Sequence, residues 1–101
     1  MMEQKFHIAL EVRDIATSVT EYTARLGTAP EIVIENEYAL WRTSILNFSI
    51  RKGQNSGRLR HIGFEDSNTP AFREEADING VVWEYFTALQ QKKEIRELWG
   101  K

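Results

Sequence analysis

The sequence predicts an α+β protein built from two pseudo-repeated modules, the first reading β-α-β-β-β and the second a truncated copy. Two observations carry this expectation. "KFHIALEVRD" from Lys5 and "LRHIGFEDSN" from Leu59 align on His7 and His61, share His-Ile, and place a glutamate four residues later, at Glu11 and Glu65. Each stretch is followed by a helix-like segment ending in glycine, at Gly27 and Gly80, with separations of 54 residues at the histidines and 53 at the glycines. Register is therefore kept across two consecutive elements. No other internal period is found.

From Phe6 to Val12 the residues alternate, with Phe6, Ile8, Leu10 and Val12 on one face and His7, Ala9 and Glu11 on the other, the period of a half-buried strand. In "RDIATSVTEYTARLGTAP", Asp14 is a helix cap, Ile15, Val19, Tyr22 and Leu26 form one stripe, and Gly27 with Pro30 marks the end. "EIVIE", "YALWRTS" and "ILNFSIRK" then read as an antiparallel meander, its first turn around Asn36-Glu37 and its second near Ser44. "GQNSG" is the flexible connector. After it, Leu59 to Asp66 repeats the first strand, and Thr69-Pro70 predicts a helix through Phe72 and Ala76 to Asn79-Gly80. "VVWEYF" can form a strand. In "TALQQKKEIRELWGK", Thr87 with Gln90 makes a capping box, Ile95, Leu98 and Trp99 have helical spacing and Gly100 is a terminator, so propensity favours a helix. Equivalence with the first half asks for a strand there instead.

With 101 residues the chain is one domain (1–101), divided as module one at 5–52, connector at 53–57 and incomplete module two at 58–101. Thirteen basic against fifteen acidic residues leave no basic stripe for phosphate backbones, so nucleic acid is a poor partner. The chain has no cysteine, so any metal must be held by nitrogen and oxygen. No signal-peptide pattern and no run of eighteen apolar residues is present, which makes a cytoplasmic, non-membrane protein the expectation.

The segments His-Ile-Ala-Leu-Glu-Val-Arg-Asp-Ile at 7–15 and His-Ile-Gly-Phe-Glu at 61–65, each opening a βαβ-type half, resemble the vicinal oxygen chelate superfamily of glyoxalases, extradiol dioxygenases and bleomycin- and fosfomycin-resistance proteins. The resemblance covers roughly residues 5 to 86. It implies two βαβββ modules whose strands form a curved mixed sheet, a cup with helices outside, and a divalent metal (Zn, Ni, Fe or Mn) in the cup. The first-strand ligands match His7 and His61. Asn47 stands in the last strand of module one, where many glyoxalases have glutamate, and the last strand of module two, with its glutamate, is expected to be missing. The scaffold itself does not fix the reaction.

Neutral imidazole suits first-row ions, and two histidines with a carboxylate leave positions open for a substrate with two oxygens. Asn47 offers an amide oxygen but neither charge nor basicity. Glu97, in "IRELWG", has the sequence context of the missing strand and is the candidate catalytic carboxylate if the tail takes that place. Glu11 and Glu65 share the face of the histidines, but each lies roughly 13 Å along the strand from its own His, too far to bind the same ion and close enough to touch a substrate. Asn47, Arg51, Glu11 and Glu65 are therefore the substrate-binding candidates, and His7 and His61 the metal ligands. Trp83, Tyr85 and Phe86 read first as core and second as a dimer contact. A missing last strand would leave the Leu59 to Asp66 strand bare on one side, which predicts a homodimer. Three functions follow: a metal-dependent lyase, isomerase or dioxygenase; a non-catalytic small-molecule binder without metal; or a remnant that serves only as a dimerisation module.

Overall fold

The structure, a computed structural model, describes residues 4–100. In chain order the elements are β1 (Gln4–Val12), α1 (Ile15–Leu26), β2 (Ile32–Ile34), β3 (Tyr38–Arg42), β4 (Leu46–Lys52), β5 (Arg58–Asp66), β6 (Arg73–Ala76), β7 (Val82–Phe86) and α2 (Ala88–Trp99). All the strands join one seven-stranded mixed sheet in the order β2-β3-β4-β1-β5-β7-β6, so the molecule is α+β. Two parallel pairs, β1 with β4 and β5 with β7, are joined at the centre by the antiparallel pair of β1 and β5.

Each sheet face is covered by one helix. The stripe Ile15, Val19, Tyr22 and Leu26 packs against Val12, Trp41, Phe48 and Ile50. Asp14 opens α1 by accepting from the Thr17 backbone N–H at 2.9 Å, and Gly27 closes it in the left-handed conformation at φ 72. Because successive strand residues face opposite ways, Tyr38 and Leu40 point to the other face, where they and Ile34 meet Ile95 and Trp99 of α2. The capping box of Thr87 and Gln90 is formed and Gly100 ends the helix at φ 71, so local propensity decides the tail in favour of helix. Only α1 is an outer helix of the expected kind, since α2 lies on the face that carries the histidines.

The second half departs from the expectation in two ways. Residues 69–80 are not a helix: a loop leads into β6, whose residues are all exposed, and then a turn. Asp77 Oδ1 accepts from the backbone N–H groups of Asn79 (2.8 Å) and Val81 (3.0 Å), while Asp77 Oδ2 accepts from Trp83 Nε1 at 2.9 Å. Those side-chain bonds offer the backbone a turn in place of a helix, and Ile78, fully exposed, gives no apolar stripe to hold one. Nor is the strand beside β5 missing. β7 fills that place in parallel register, so β5 is paired on both sides and the bare edge that argued for a dimer does not exist. What the second half lacks, among the described residues, is a helix between its first two strands and a fourth strand.

Two local features of β5 set up the site. Gly63 lies opposite Glu84 with φ +152, and a Cβ there would stand 1.8 Å from the Glu84 carbonyl oxygen, so only glycine lets β7 approach. Ala9 pairs with His61 and Leu10 with Leu59, which leaves Arg60 as the extra residue of a β-bulge. Among the described residues no helix is long and apolar enough to cross a membrane.

Candidate metal centre

β1 and β5 run side by side through the middle of the sheet and bring His7 and His61 onto one face, with their Nε2 atoms 2.9 Å apart. β7 adds Glu84, whose Oε1 lies 3.1 Å from His61 Nε2. One ligand atom from each of the three residues lies within 4.8 Å of the other two, so the group could hold a metal ion.

The tautomer of His7 follows from its neighbours. Asn47 is fully buried, and its Nδ2 donates to Glu65 Oε1 (2.7 Å) and Gln91 Oε1 (2.8 Å). That orientation turns Asn47 Oδ1 toward His7 Nδ1 at 2.8 Å, with the Asn47 carbonyl oxygen at 3.1 Å. Facing two acceptors, Nδ1 must carry the hydrogen, which leaves the lone pair of Nε2 pointing at His61. Behind Asn47 the chain of contacts continues: Arg42 grips Glu65 through Nε (2.9 Å) and Nη2 (2.6 Å) and reaches Glu31 through Nη1 (3.2 Å). This is the outer support that metal-binding imidazoles ordinarily receive. The edge of Phe86 abuts the His7 ring, with centroids 4.8 Å apart, and closes its remaining side.

Burial lowers the pKa of His7 despite its bonds to Asn47. His61 is pushed down to about 3, first by burial and then by the charges of His7 and Arg60. Both rings are thus neutral near pH 7, the form that coordinates metal. Without an ion, the arrangement is consistent when His61 Nε2–H donates toward His7 Nε2 and Glu84. Glu84 is raised to about 7, first by burial and then by its hydrogen bond and charge contact with Glu74 across the β6–β7 pair. A cation held by His7, His61 and Glu84 would favour the ionised carboxylate, with His61 coordinating through Nε2 and carrying its proton on Nδ1.

A cavity of about 250 Å³ opens beside the group, walled by the sheet face and by α2. Of the residues singled out in the sequence, His7 and His61 come together as expected, and Arg51 and Glu97 line the cavity. Glu97 reaches it from α2, outside the group of ligand atoms; the carboxylate beside the imidazoles is Glu84. Asn47 and Glu65 are not among the cavity's lining residues and have their polar atoms engaged behind His7. Glu11 is drawn away to the connector, where its carboxylate accepts from the Asn55 backbone N–H at 2.8 Å and fills the space beside Gly53. The alternation in "VVWEYF" places Glu84 on the side of Phe86, a signal that becomes readable once this run is the strand next to β5. Arg60 carries no such signal, because the bulge that turns it has no local mark. No protein-family model matches this chain, and no curated protein matches it.

Proposed function

We propose that the chain is a divalent-metal protein of the vicinal oxygen chelate type, acting on a small molecule that offers two oxygens to the ion, and that its halves are divergent copies of one module. The observation that supports this best is the convergence of His7 Nε2, His61 Nε2 and a Glu84 oxygen, with edges of 2.9 and 3.1 Å. Ligands at right angles on an ion with bonds of about 2.1 Å are separated by roughly 3.0 Å. Two nitrogens and one carboxylate suit Zn, Ni, Fe(II) or Mn and leave positions open toward the cavity. When bound, such an ion supplies Lewis acidity to a carbonyl or hydroxyl oxygen.

The chain's own residues divide the remaining tasks. Asn47, Glu65 and Arg42 hold the His7 lone pair on target, Trp99 and Phe86 give the cavity an apolar wall, and Glu97 on the α2 side is a carboxylate free of the ligand set that can take and return a proton. Chelator-treated protein titrated calorimetrically with Zn(II), Ni(II) or Mn(II) tests the reading. One ion per chain is expected, lost in His7→Ala and Glu84→Gln and kept in Glu97→Gln; absence of binding, or binding indifferent to His7 and Glu84, rejects it.

A second reading, a metal-free small-molecule binder, has one observation in its favour. No buried side-chain nitrogen or oxygen among the described residues lacks a hydrogen-bond partner, so the site is satisfied without an ion. Ligand-induced thermal shifts that are insensitive to chelator would select it.

A further inference from the structure

The bulge in β5 does more than interrupt the ladder. In a regular strand Arg60 and His61 would point to opposite faces, and the extra residue lets both line the same cavity. Arg51 of β4 lines it too, its guanidinium 5.3 Å from the centre of the Trp99 ring. The other partly buried arginine among the described residues, Arg42, is matched, with two carboxylates within 3.2 Å. Among the described residues neither Arg51 nor Arg60 has an ion-pair partner within 4.0 Å or a side-chain hydrogen bond to the protein. Two cations share one small cavity. A guanidinium is a fork of donors matched to carboxylate and phosphate oxygens. Acidic groups do occur in the lining: exposed Glu94 and Glu97 on α2, beside exposed Lys93, and Glu84 and Glu94 are near enough for their charges to reach Arg60 without forming an ion pair with it. With Glu84 committed to a divalent ion, the lining as a whole is left with a positive excess.

We propose that the cavity takes a small organic oxyanion, a carboxylate or phosphate-type acid, whose acid group is held by Arg60 and Arg51 while a neighbouring oxygen faces His7, His61 and Glu84. The assignment rests on the metal reading for the second contact and stands on the two unpaired guanidiniums for the first. It makes Arg60 a specificity-determining residue placed by a backbone irregularity, and it sets a size: about 250 Å³ accommodates a metabolite-sized acid and not a polymer.

The experiment compares two probes on the full-length chain loaded with Zn(II). Phosphonoacetate carries an acid group besides its metal-facing oxygens, whereas acetohydroxamate chelates through two oxygens and has no further acid group. Arg60→Gln and Arg51→Gln are each expected to weaken phosphonoacetate at least about tenfold while leaving acetohydroxamate and zinc content unchanged. Arg60→Lys, which keeps charge without the fork, is expected to fall between. Equal weakening of both probes, or no weakening of either, overturns the proposal. Repeating the phosphonoacetate titration in chelator separates the two claims: if no metal binds but the acid still does, and both arginine variants abolish that binding, the acid subsite stands and the metal reading falls. Acid binding in chelator that survives both substitutions overturns the subsite as well.

Discussion

Two corners of the same sheet face hold a carboxylate near a histidine, Glu65 buried and Glu84 partly buried, and they are built in opposite ways. At the first, Glu65 has Arg42 and Asn47. Burial alone would raise its pKa, but the hydrogen bonds from Arg42 and Asn47 and the Arg42 charge prevail and hold it low. At the second, burial and the like charges of Glu74 and Glu94 raise Glu84 to about 7 against the pull of Arg60, His61 is pushed down to about 3, and Arg60 feels Glu84 and Glu94 as well as Arg51 but has no ion-pair partner within 4.0 Å among the described residues. The first corner is complete as it stands. The second, on the reading proposed above, would be completed by charges from outside the chain, a cation at Glu84 and an anion at Arg60. Local conflict within an otherwise consistent fold is where binding is expected.

The comparison can be broken hardest at Gly63→Ala, which strikes the second corner directly, through the β5–β7 contact beside Glu84. A methyl group at 1.8 Å from the Glu84 carbonyl, on a backbone at positive φ, must push β7 off β5. A loss of about 3 kcal/mol or more is expected, read as a fall in Tm on the order of 15 °C in thermal denaturation. Next comes Asn47→Leu at the first corner, which takes the side-chain partner from His7 Nδ1 and Gln91 and one of the donors from Glu65, leaving the residue 47 carbonyl at His7 and Arg42 at Glu65; about 2–3 kcal/mol of stability and a 10–100-fold loss of metal affinity should appear together.

Arg42→Met sharpens the contrast through pH. Because Glu65 is held below its ordinary value of 4.5, its contribution is present above pH 4.5 and lost as pH falls through the lowered folded value. Denaturant titrations should show the variant weaker by about 1–2 kcal/mol at pH 7, the gap shrinking below pH 4.5. The smallest expected effect is Thr87→Ala, about 1 kcal/mol, because it removes one cap from α2 and touches neither corner.

These corners also show what a sequence discloses. α1, the β2–β4 meander and α2 were legible because caps and short-range periods determine them: Asp14, Gly27, and the Thr87–Gln90 box act within a few residues of themselves. β6 was not, since "REEA" is exposed on both sides and owes its strand to pairing with β7, with the Asp77 turn deciding the approach. The histidine pair was legible through the repeat, a long-range signal that happens to be written in sequence. Glu84 was not, because its place depends on β7 lying parallel to β5, and nothing local to Asn47, a substrate-binding candidate by sequence, marks its hydrogen bonds to His7, Glu65 and Gln91.

The central claim is that the two imidazoles face one ion through Nε2 while His7 keeps its Nδ1 proton. Nitrogen-15 NMR of the histidine side chains, recorded on metal-free protein and after one equivalent of Zn(II), tests it most directly. The account predicts a protonated His7 Nδ1 in both states and a zinc-induced shift of both Nε2 resonances at the same stoichiometry. A shift confined to one ring, or a His7 protonated at Nε2 before zinc is added, would contradict it.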